Sequence, residues 1–158
     1  MGEGMNARDD PRPLGGYLVL MGAYTALTGA AIYALRGRRG RVRRPAPMDL
    51  LLFGLATQHL SRLVSKDAVT SPLRAPFTEF EGAAGEGEVE ERVVGSGLRH
   101  ALGEFVTCPF CLDQWIATIF VAAWVALPDL TTAATTALAV AQVADYLQLG
   151  YGALRRRQ

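Results

Sequence analysis

The sequence predicts an all-α integral membrane protein: a bundle of three to four spanning helices with a short amphipathic helix at the membrane surface. Half of its 158 residues are hydrophobic, and the formal net charge is only +1. The apolar residues gather in long runs, of which 14–35 has 22 residues and no charge. As a helix this run measures about 33 Å, enough to cross a hydrocarbon core of roughly 30 Å. The runs 112–127 and 130–149 carry one aspartate each. Several such runs in one short chain favour a membrane bundle over a soluble domain.

The N-terminal part has the pattern of a retained anchor rather than a cleaved signal peptide. Residues 1–13 hold three acidic residues against two arginines, whereas a signal peptide starts with a positive segment. We predict a flexible N-terminus over 1–13, a transmembrane anchor over 14–35 and a basic linker over 36–47. The six arginines of this linker are typical of a stop-transfer segment at the cytoplasmic face and suit anionic lipid headgroups. No aromatic residues alternate with them, so we expect no nucleic-acid partner.

The next predicted helix, about 49–64, is mostly apolar but carries a polar side. His59, Arg62 and Lys66 recur at helical spacing and therefore share one face. In lipid such a face must turn inward or reach the interface. The sequence leaves open whether this helix crosses the membrane fully or is a short re-entrant segment.

A polar loop over 65–97 separates this helix from the thiol region. Its prolines exclude a continuous helix. Two short alternating stretches, 77–81 and 88–94, predict either a small hairpin or a disordered tip. Ser96 is a good N-cap for a helix over 97–107, and the apolar stripe of that helix predicts that it lies along the membrane surface.

The last two predicted helices, about 110–127 and 130–151, form an antiparallel pair because only Pro128 and Asp129 connect them. The second helix therefore returns to the face where the first began, and a basic tail over 153–158 closes the chain there. Polar residues from distant segments gather at this face: Arg62, Lys66, Cys108, Cys111, Asp113 and Asp145. An aspartate within a span is costly unless paired, and Arg62 is the expected partner of Asp145.

Rows of small residues predict close helix packing. They recur every four positions: Gly22, Ala26, Ala30 and Ala34 in the first span, and Ala133, Ala137 and Ala141 in the last. Such rows fit packing within the chain or between copies in a homo-oligomer.

The two cysteines of the chain, Cys108 and Cys111, frame the motif CPFC at the start of a span. Cys108 is suited to be the N-cap of that helix, with Pro109 at the first helical position. Three interpretations stay open. Disulfide exchange is one, since glutaredoxin-like enzymes also use this spacing. A zinc site is another, with His100, Asp113 or a second copy adding ligands. The third is structural packing where the surface helix meets the membrane.

Three stretches, ATQHLSRLVSKDAVTSPLRAPF, TCPFCLDQW and VADYLQL, resemble a family of small bacterial membrane proteins catalogued as domain of unknown function thirteen-sixty, which includes a sporulation-associated Bacillus member. The resemblance covers about 49–151, so that 48–152 is a family-like membrane domain and the first span is an added anchor. It implies a multi-span membrane protein and implies no reaction. The family's usual glycine after CPFCL is Asp113 here. The motif loop that carries the resemblance contains Lys66, Asp67, Ser71, Pro72, Arg74, Pro76 and Phe77.

We expect a non-enzymatic structural, assembly or partner-binding role, in which the loop 65–97 contacts a membrane-protein partner. The alternatives are a membrane thiol–disulfide oxidoreductase that uses the CPFC pair and a zinc-stabilised membrane protein. Zinc is the one cofactor that these residues suggest. We expect a multi-pass protein of the cell membrane, surrounded by lipid. The arginines at 155–157 favour a cytoplasmic position for the loop 65–107, which lies on the side where the chain ends.

Overall fold

The computed structural model describes residues 12–41 and 44–157, which are mostly helical. Nearly all of the predicted flexible segment 1–13, two residues of the basic linker and the last residue of the tail lie outside the described residues. The elements are α1 (Leu14–Leu35), α2 (Pro47–Ser65), α3 (Ser71–Arg74), β1 (Thr78–Ala83), β2 (Val89–Val93), α4 (Gly97–Thr107), α5 (Pro109–Ala126) and α6 (Pro128–Arg155). Short 3₁₀ helices cover Arg36–Arg41 and Ala68–Thr70.

The mostly helical architecture confirms the predicted fold class in its coarse form, and a small antiparallel sheet is added to it. Among the described residues, two helices are long and apolar enough to cross a membrane, Leu14–Arg38 and Pro109–Ala126. Composition alone therefore does not support the expected three to four spans. The reason is visible in α2 and α6, whose apolar runs are interrupted by histidine, glutamine, arginine and threonine residues.

Helices α1 and α5 lie side by side and run in the same direction. The hydroxyl of Tyr17, near the start of α1, donates to Glu104 Oε2 at 2.5 Å, just before α5 begins. Beyond the other end of α1, Arg38 donates to the carbonyl of Ala126 at the last residue of α5. Contacts at both ends of the pair fix this parallel alignment.

Helices α2 and α6 run opposite to α5. Phe53, early in α2, packs edge-on against Trp124 near the end of α5, with ring centroids 6.0 Å apart. Helix α6 follows α5 directly and returns beside α2. The bundle thus has two ends. The cap end holds the start of α1 and α5 and the finish of α2 and α6, and the linker end holds residues 36–41 and 44–46.

The interior of the bundle is small and partly polar, while many large apolar side chains face outward. The apolar core contains Ala56, Leu112, Ile116 and Phe120. The other buried residues of α2 and α6 mostly carry hydroxyl or amide groups. They are Thr57, Ser61 and Ser65 on α2, and Thr131, Thr135 and Gln142 on α6. Exposed large apolar residues include Leu18, Ile119 and Val140. Helix contacts made by small and hydroxyl-bearing residues, with large apolar side chains outside, also occur where helices pack in lipid.

The predicted row of small residues on α1 makes no close contact within the chain. Gly22, Ala26, Ala30 and Ala34 are all exposed. Instead, α1 approaches α4 at Gly16, where a Cβ would lie 2.5 Å from the Cβ of Ala101. The prediction that this row packs within the chain is therefore wrong, and packing between copies stays a prediction.

Residues 66–96, here called the cap, fold against the cap end of the bundle. Strands β1 and β2 pair antiparallel with one bulge, so the hairpin alternative is confirmed. The Lys66 carbonyl, at the end of α2, accepts the Val89 N–H at 2.9 Å. Gly103 in α4 lies so close to the hairpin that a Cβ there would be 2.5 Å from Val93 Cγ1. Contacts with two helices thus hold the hairpin in place.

Helix α4 begins after Ser96, as the sequence predicts. The backbone of Ser96 is extended, but its side chain forms no capping hydrogen bond. The buried positions of α4 are Ala101 and Gly103, which contact α1 and the hairpin respectively. The helix is therefore covered on two sides rather than lying free on a surface.

Candidate functional site at the cap end

A buried arginine from the motif SPLRAPF organises the cap. Arg74 is fully buried and forms an ion pair with Glu91 of β2, whose side chain is 6% exposed. Its Nε donates to Glu91 Oε2 at 2.6 Å, and its Nη1 donates to the Val64 carbonyl at 2.6 Å. Its Nη2 donates to the Asp67 carbonyl at 2.9 Å. One side chain thereby connects the end of α2, the turn that follows it and strand β2.

The same cluster keeps the Glu91 carboxylate ionised. Burial by itself raises the pKa of Glu91, but hydrogen bonds from Arg74, Ser71 and Thr78 and the charge of Arg74 together lower that pKa below its ordinary value. Arg74 also donates to the hydroxyls of Thr70 and Ser71, at 2.8 and 3.2 Å. The buried charges are therefore paired and hydrogen-bonded, which is the condition for burying them without a large penalty.

Other residues of the motif loop shape the turn after α2. Asp67 caps this turn, because its Oδ1 accepts the Val69 N–H at 2.9 Å. Lys66, the residue after α2, takes part through its backbone carbonyl, which accepts the Val89 N–H of the hairpin. Pro72 lies in the first turn of α3 and is exposed.

The end of the motif loop joins the hairpin to α4. The Pro76 carbonyl accepts two hydrogen bonds from Arg99 of α4, at 3.0 and 2.8 Å. The Phe77 carbonyl accepts the Val94 N–H at 2.9 Å, across the base of the hairpin. The contacts of the motif loop are therefore those of a structural element that builds the cap.

A polar cavity of about 300 Å³ opens between α2, α6 and the tip of the hairpin. On its wall, His59 Nδ1 and Asp145 Oδ2 are 3.2 Å apart, while Arg62 pairs with Glu88. The predicted direct ion pair between Arg62 and Asp145 is therefore wrong, since each residue has a different partner. The hairpin brings Glu88 over the end of α2, and His59, nearly one turn earlier in the helix, is level with Asp145.

Two amide side chains lie at the same cavity. Gln142 is 3% exposed and lines the cavity. Within residues 12–41 and 44–157, no group forms a hydrogen bond with its amide. Gln148, the second amide, also lines the cavity, while Gln58 is not part of this lining and accepts a hydrogen bond from the Tyr146 hydroxyl. The cavity thus combines an ion pair, several carboxylates and two amide side chains.

The two thiols lie where α4 meets α5. Cys108 is the N-cap of α5, with Pro109 in the first turn, and its Sγ accepts the Cys111 N–H at 3.2 Å. Both cysteines are free, and their sulfur atoms are 2.6 Å apart. Cys111 is exposed, and so is Phe110 between them, at 83%. The pair is therefore close together and accessible from outside the protein.

Glu104, one turn before the end of α4, collects the polar groups near these thiols. It accepts the hydrogen bond of Tyr17, and its other oxygen is 3.5 Å from His100 Nε2. His100 is thus engaged with a carboxylate. In the described part of the chain, no three His, Cys, Asp or Glu side chains converge as metal ligands.

The family model described as "Protein of unknown function (DUF1360)" matches residues 52–151. The chain belongs to the DUF1360 family. The matched region runs from α2 to α6, so that α1 lies outside it. This DUF1360 protein is also similar to the "Sporulation protein YjcA" of Bacillus subtilis (strain 168), with 29% identity over 104 residues, 64% of this chain and 88% of that protein. No solved structure matches the chain.

Sequence reasoning missed the carboxylates that pair with the two arginines of the site. Glu88 and Glu91 stand in the acidic stretch EGEVEERVV, where no single glutamate differs from its neighbours by residue type. For Glu91 the available signal was alternation, since every second residue of a strand turns to the same side; Glu88 precedes β2 and this signal does not reach it. That signal becomes specific only once the pairing of β1 with β2 is known.

Proposed function

We propose that this DUF1360 protein is a multi-pass membrane protein with a structural or assembly role, which presents its cap to a partner protein. The observation that carries the proposal is an ordered cap with exposed apolar side chains. Val69, Leu73 and Phe80 are 84, 64 and 69% exposed, although all three lie outside the long helices. Exposed apolar groups of this size on a polar unit are typical of contact surfaces.

The polar interior of the bundle supports four membrane crossings. Helices α2 and α6 have 19 and 28 residues, about 28 and 42 Å along the helix axis. Their buried polar residues pack inside the bundle, where lipid does not reach them. We infer that α1 and α2 cross as one antiparallel pair and α5 and α6 as another, with α4 at the interface on the cap side.

The arrangement of basic residues supports a linker end in the cytoplasm. Six arginines lie close together in the short linker between α1 and α2, whereas the basic residues of the cap end are spread over the N-terminus, the cap, α4 and the tail. A compact basic group directly after a span is typical of a cytoplasmic stop-transfer segment. If α1 crosses the membrane, the linker and the cap lie on opposite sides. We therefore propose that residues 65–107 lie outside the cytoplasm, the reverse of the expectation drawn from Arg155–Arg157 alone.

The relative named for sporulation supports a link of this protein to that process. The similarity covers 88% of the Bacillus protein, so both chains share most of the same domain. Assembly of membrane complexes is a role that a bundle with a docking cap can fill without a catalytic site. We accordingly propose a contribution to sporulation through a membrane complex.

Site-specific photo-crosslinking tests the docking role. A photoreactive phenylalanine analogue at Phe80 is expected to give one discrete protein adduct, which Leu73→Asp should abolish. The same analogue at Val121, 53% exposed within α5, is the matched control and should capture lipid. An adduct with twice the mass of the protein would identify a second copy as the partner. A cap position that captures no protein at normal membrane levels contradicts the proposal.

The geometry of the thiols favours one second function, a membrane thiol–disulfide oxidoreductase. Two sulfurs 2.6 Å apart, one of them exposed, suit exchange with a disulfide in a protein substrate. In that reaction the Cys108–Cys111 dithiol becomes a disulfide, and its two electrons and two protons convert the substrate disulfide into two thiols.

Thiol trapping in intact cells separates the two functions. Exchange requires that the pair cycles between reduced and oxidised forms, so one fixed redox state rejects it. Under the assembly role, Cys108→Ser combined with Cys111→Ser leaves the protein folded and functional. Membrane-impermeant labelling of Cys111 in the same cells reports sidedness, and labelling is expected if the cap lies outside the cytoplasm.

A further inference from the structure

The polar cavity between α2, α6 and the hairpin tip has hydrogen-bonding groups that the fold does not use. Gln142 is 3% exposed and lines this cavity. Its amide has no hydrogen-bond partner in the part of the chain that the structure describes. His59 likewise contacts Asp145 through Nδ1, and no described group bonds to its Nε2. These groups are suited to a ligand that fills the cavity.

The charges around the cavity favour a cationic ligand. Its lining includes four carboxylates and one guanidinium, those of Asp67, Glu86, Glu88, Asp145 and Arg62. Glu88 neutralises Arg62 by direct pairing. Arg156 lies 3.8 Å from Glu86, but both side chains are largely exposed, so this pair contributes little. The remaining negative charge attracts cations and repels anions.

The available acceptors suit a hydrogen-bond donor better than a bare metal ion. A metal site needs several converging ligands at short distance, and no three such side chains converge among residues 12–41 and 44–157. A primary ammonium instead carries three N–H donors. The Asp145 carboxylate and the carbonyl of the Gln142 amide are acceptors of the matching kind, and a charged donor strengthens both hydrogen bonds.

We propose that the cavity binds a primary ammonium group, presented by a lysine side chain of the protein that docks on the cap. This inference rests on the proposed docking function and gives the partner a chemistry. The lysine enters between the hairpin tip and the ends of α2 and α6, where its ammonium donates a hydrogen bond to the amide oxygen of Gln142. The apolar residues of the cap then contact the rest of the partner surface.

Peptide binding to the full-length protein in detergent, measured by saturation-transfer NMR, tests this inference. The probe is a short alanine peptide with one central lysine, and the same peptide with acetylated lysine is the control. The lysine peptide is expected to bind and the acetylated peptide is not. Asp145→Asn should weaken binding about tenfold, because it removes a charge-assisted hydrogen bond, and Gln142→Leu should weaken it as well.

A matched control variant is Glu81→Gln, which alters a carboxylate of the same hairpin that pairs with Arg92 outside the cavity. This variant should leave binding unchanged. Glu86→Gln changes an exposed cavity carboxylate at the tip and tests the charge requirement even if Asp145→Asn does not fold. Equal binding of both peptides, or equal effects of Glu81→Gln and Glu86→Gln, would overturn the inference.

Two further results separate this inference from the docking function. Spermidine that binds in the cavity while the lysine peptide does not would assign the site to a free polyamine and overturn the protein source. Cap crosslinks that survive Asp145→Asn and Gln142→Leu would leave the docking function standing and refute only the lysine contact. Peptide binding without any cap adduct would refute the docking function, and the partner lysine with it.

Discussion

Replacing Arg74 by methionine is expected to unfold the cap without unfolding the bundle. The guanidinium is fully buried, and its partner Glu91 is 6% exposed. The variant therefore leaves a buried carboxylate without its counter-charge, which costs about 3–5 kcal/mol. The carbonyls of Val64 and Asp67 lose their donors at the same time. A loss of this size exceeds what a short hairpin contributes by itself, since an isolated hairpin is marginal in water.

Hydrogen exchange of the β2 amides, measured by mass spectrometry in detergent, reports how much stability the cap loses. The expected loss accelerates exchange by on the order of a hundred-fold or more, while amides in the middle of α5 keep their protection. Arg92→Met is the matched control, because Arg92 is 59% exposed and pairs with Glu79 and Glu81 on the open face of the hairpin. Such exposed pairs contribute roughly 0–1 kcal/mol.

The double variant Arg74→Met with Glu91→Gln gives a second check on the same reasoning. Removing the carboxylate charge as well should recover part of the lost protection, because the residual penalty is then that of neutral polar groups. An Arg74→Met variant whose β2 amides exchange no faster than those of Arg92→Met would refute the assignment of Arg74 as the centre of the cap.

Three other predictions concern pH, packing and a buried carboxylate. The pKa of Glu91 is lowered from its ordinary 4.5, so the contribution of its ion pair to cap stability is complete above about pH 4.5 and is lost as the pH falls through the lower folded value. Exchange of the β2 amides should accelerate only in that acidic range. Acceleration already near neutral pH would contradict this. Gly103→Ala places a Cβ 2.5 Å from Val93 Cγ1 and should lower the thermal unfolding temperature at a cost of about 1–3 kcal/mol. Gly54→Ala, in open space on α2, is its control and should be neutral or slightly stabilising. Asp113→Ala removes a buried Oδ1 without a hydrogen-bond partner among the described residues. It should increase the free energy of unfolding by about 1–3 kcal/mol and so raise the unfolding temperature. An unchanged temperature would refute the idea that this atom is unsatisfied.

Local chemistry made the start of α5 predictable. A small side chain that can accept a hydrogen bond, followed by proline at the first helical position, is sufficient to place a helix N-terminus, and Cys108 with Pro109 fits that pattern. The tight connection between α5 and α6 was equally informative. It implied that residues near the end of α2 and Asp145 meet at one face, and Arg62 and Asp145 do line one cavity.

The individual pairs at that face were not predictable, because they depend on strand register. Glu88 and Glu91 reach Arg62 and Arg74 only through the pairing of β1 with β2, which contains a bulge. A shift of one residue in a strand turns every side chain to the opposite face. The sequence pattern of an acidic hairpin does not contain this information.

The packing face of α1 was unpredictable for a different reason. Small residues occur on more than one side of this helix, and spacing alone favoured the row that begins at Gly22. The structure uses Gly16 instead, because Ala101 of α4 approaches the helix there. Which of two similar faces is buried depends on the shape of the partner helix, and a single helix pattern does not describe that partner.

The contact of α1 with α4 joins residues that leave the ribosome far apart in time. Tyr17 and Glu104 are 87 residues apart in the chain, so at about 5–20 residues per second the first waits roughly 4 to 17 s for the second to be synthesised. During this interval the Tyr17 hydroxyl lacks its carboxylate partner. On the proposed membrane topology, the first helix therefore enters the bilayer before the surface of α4 that receives it has been synthesised.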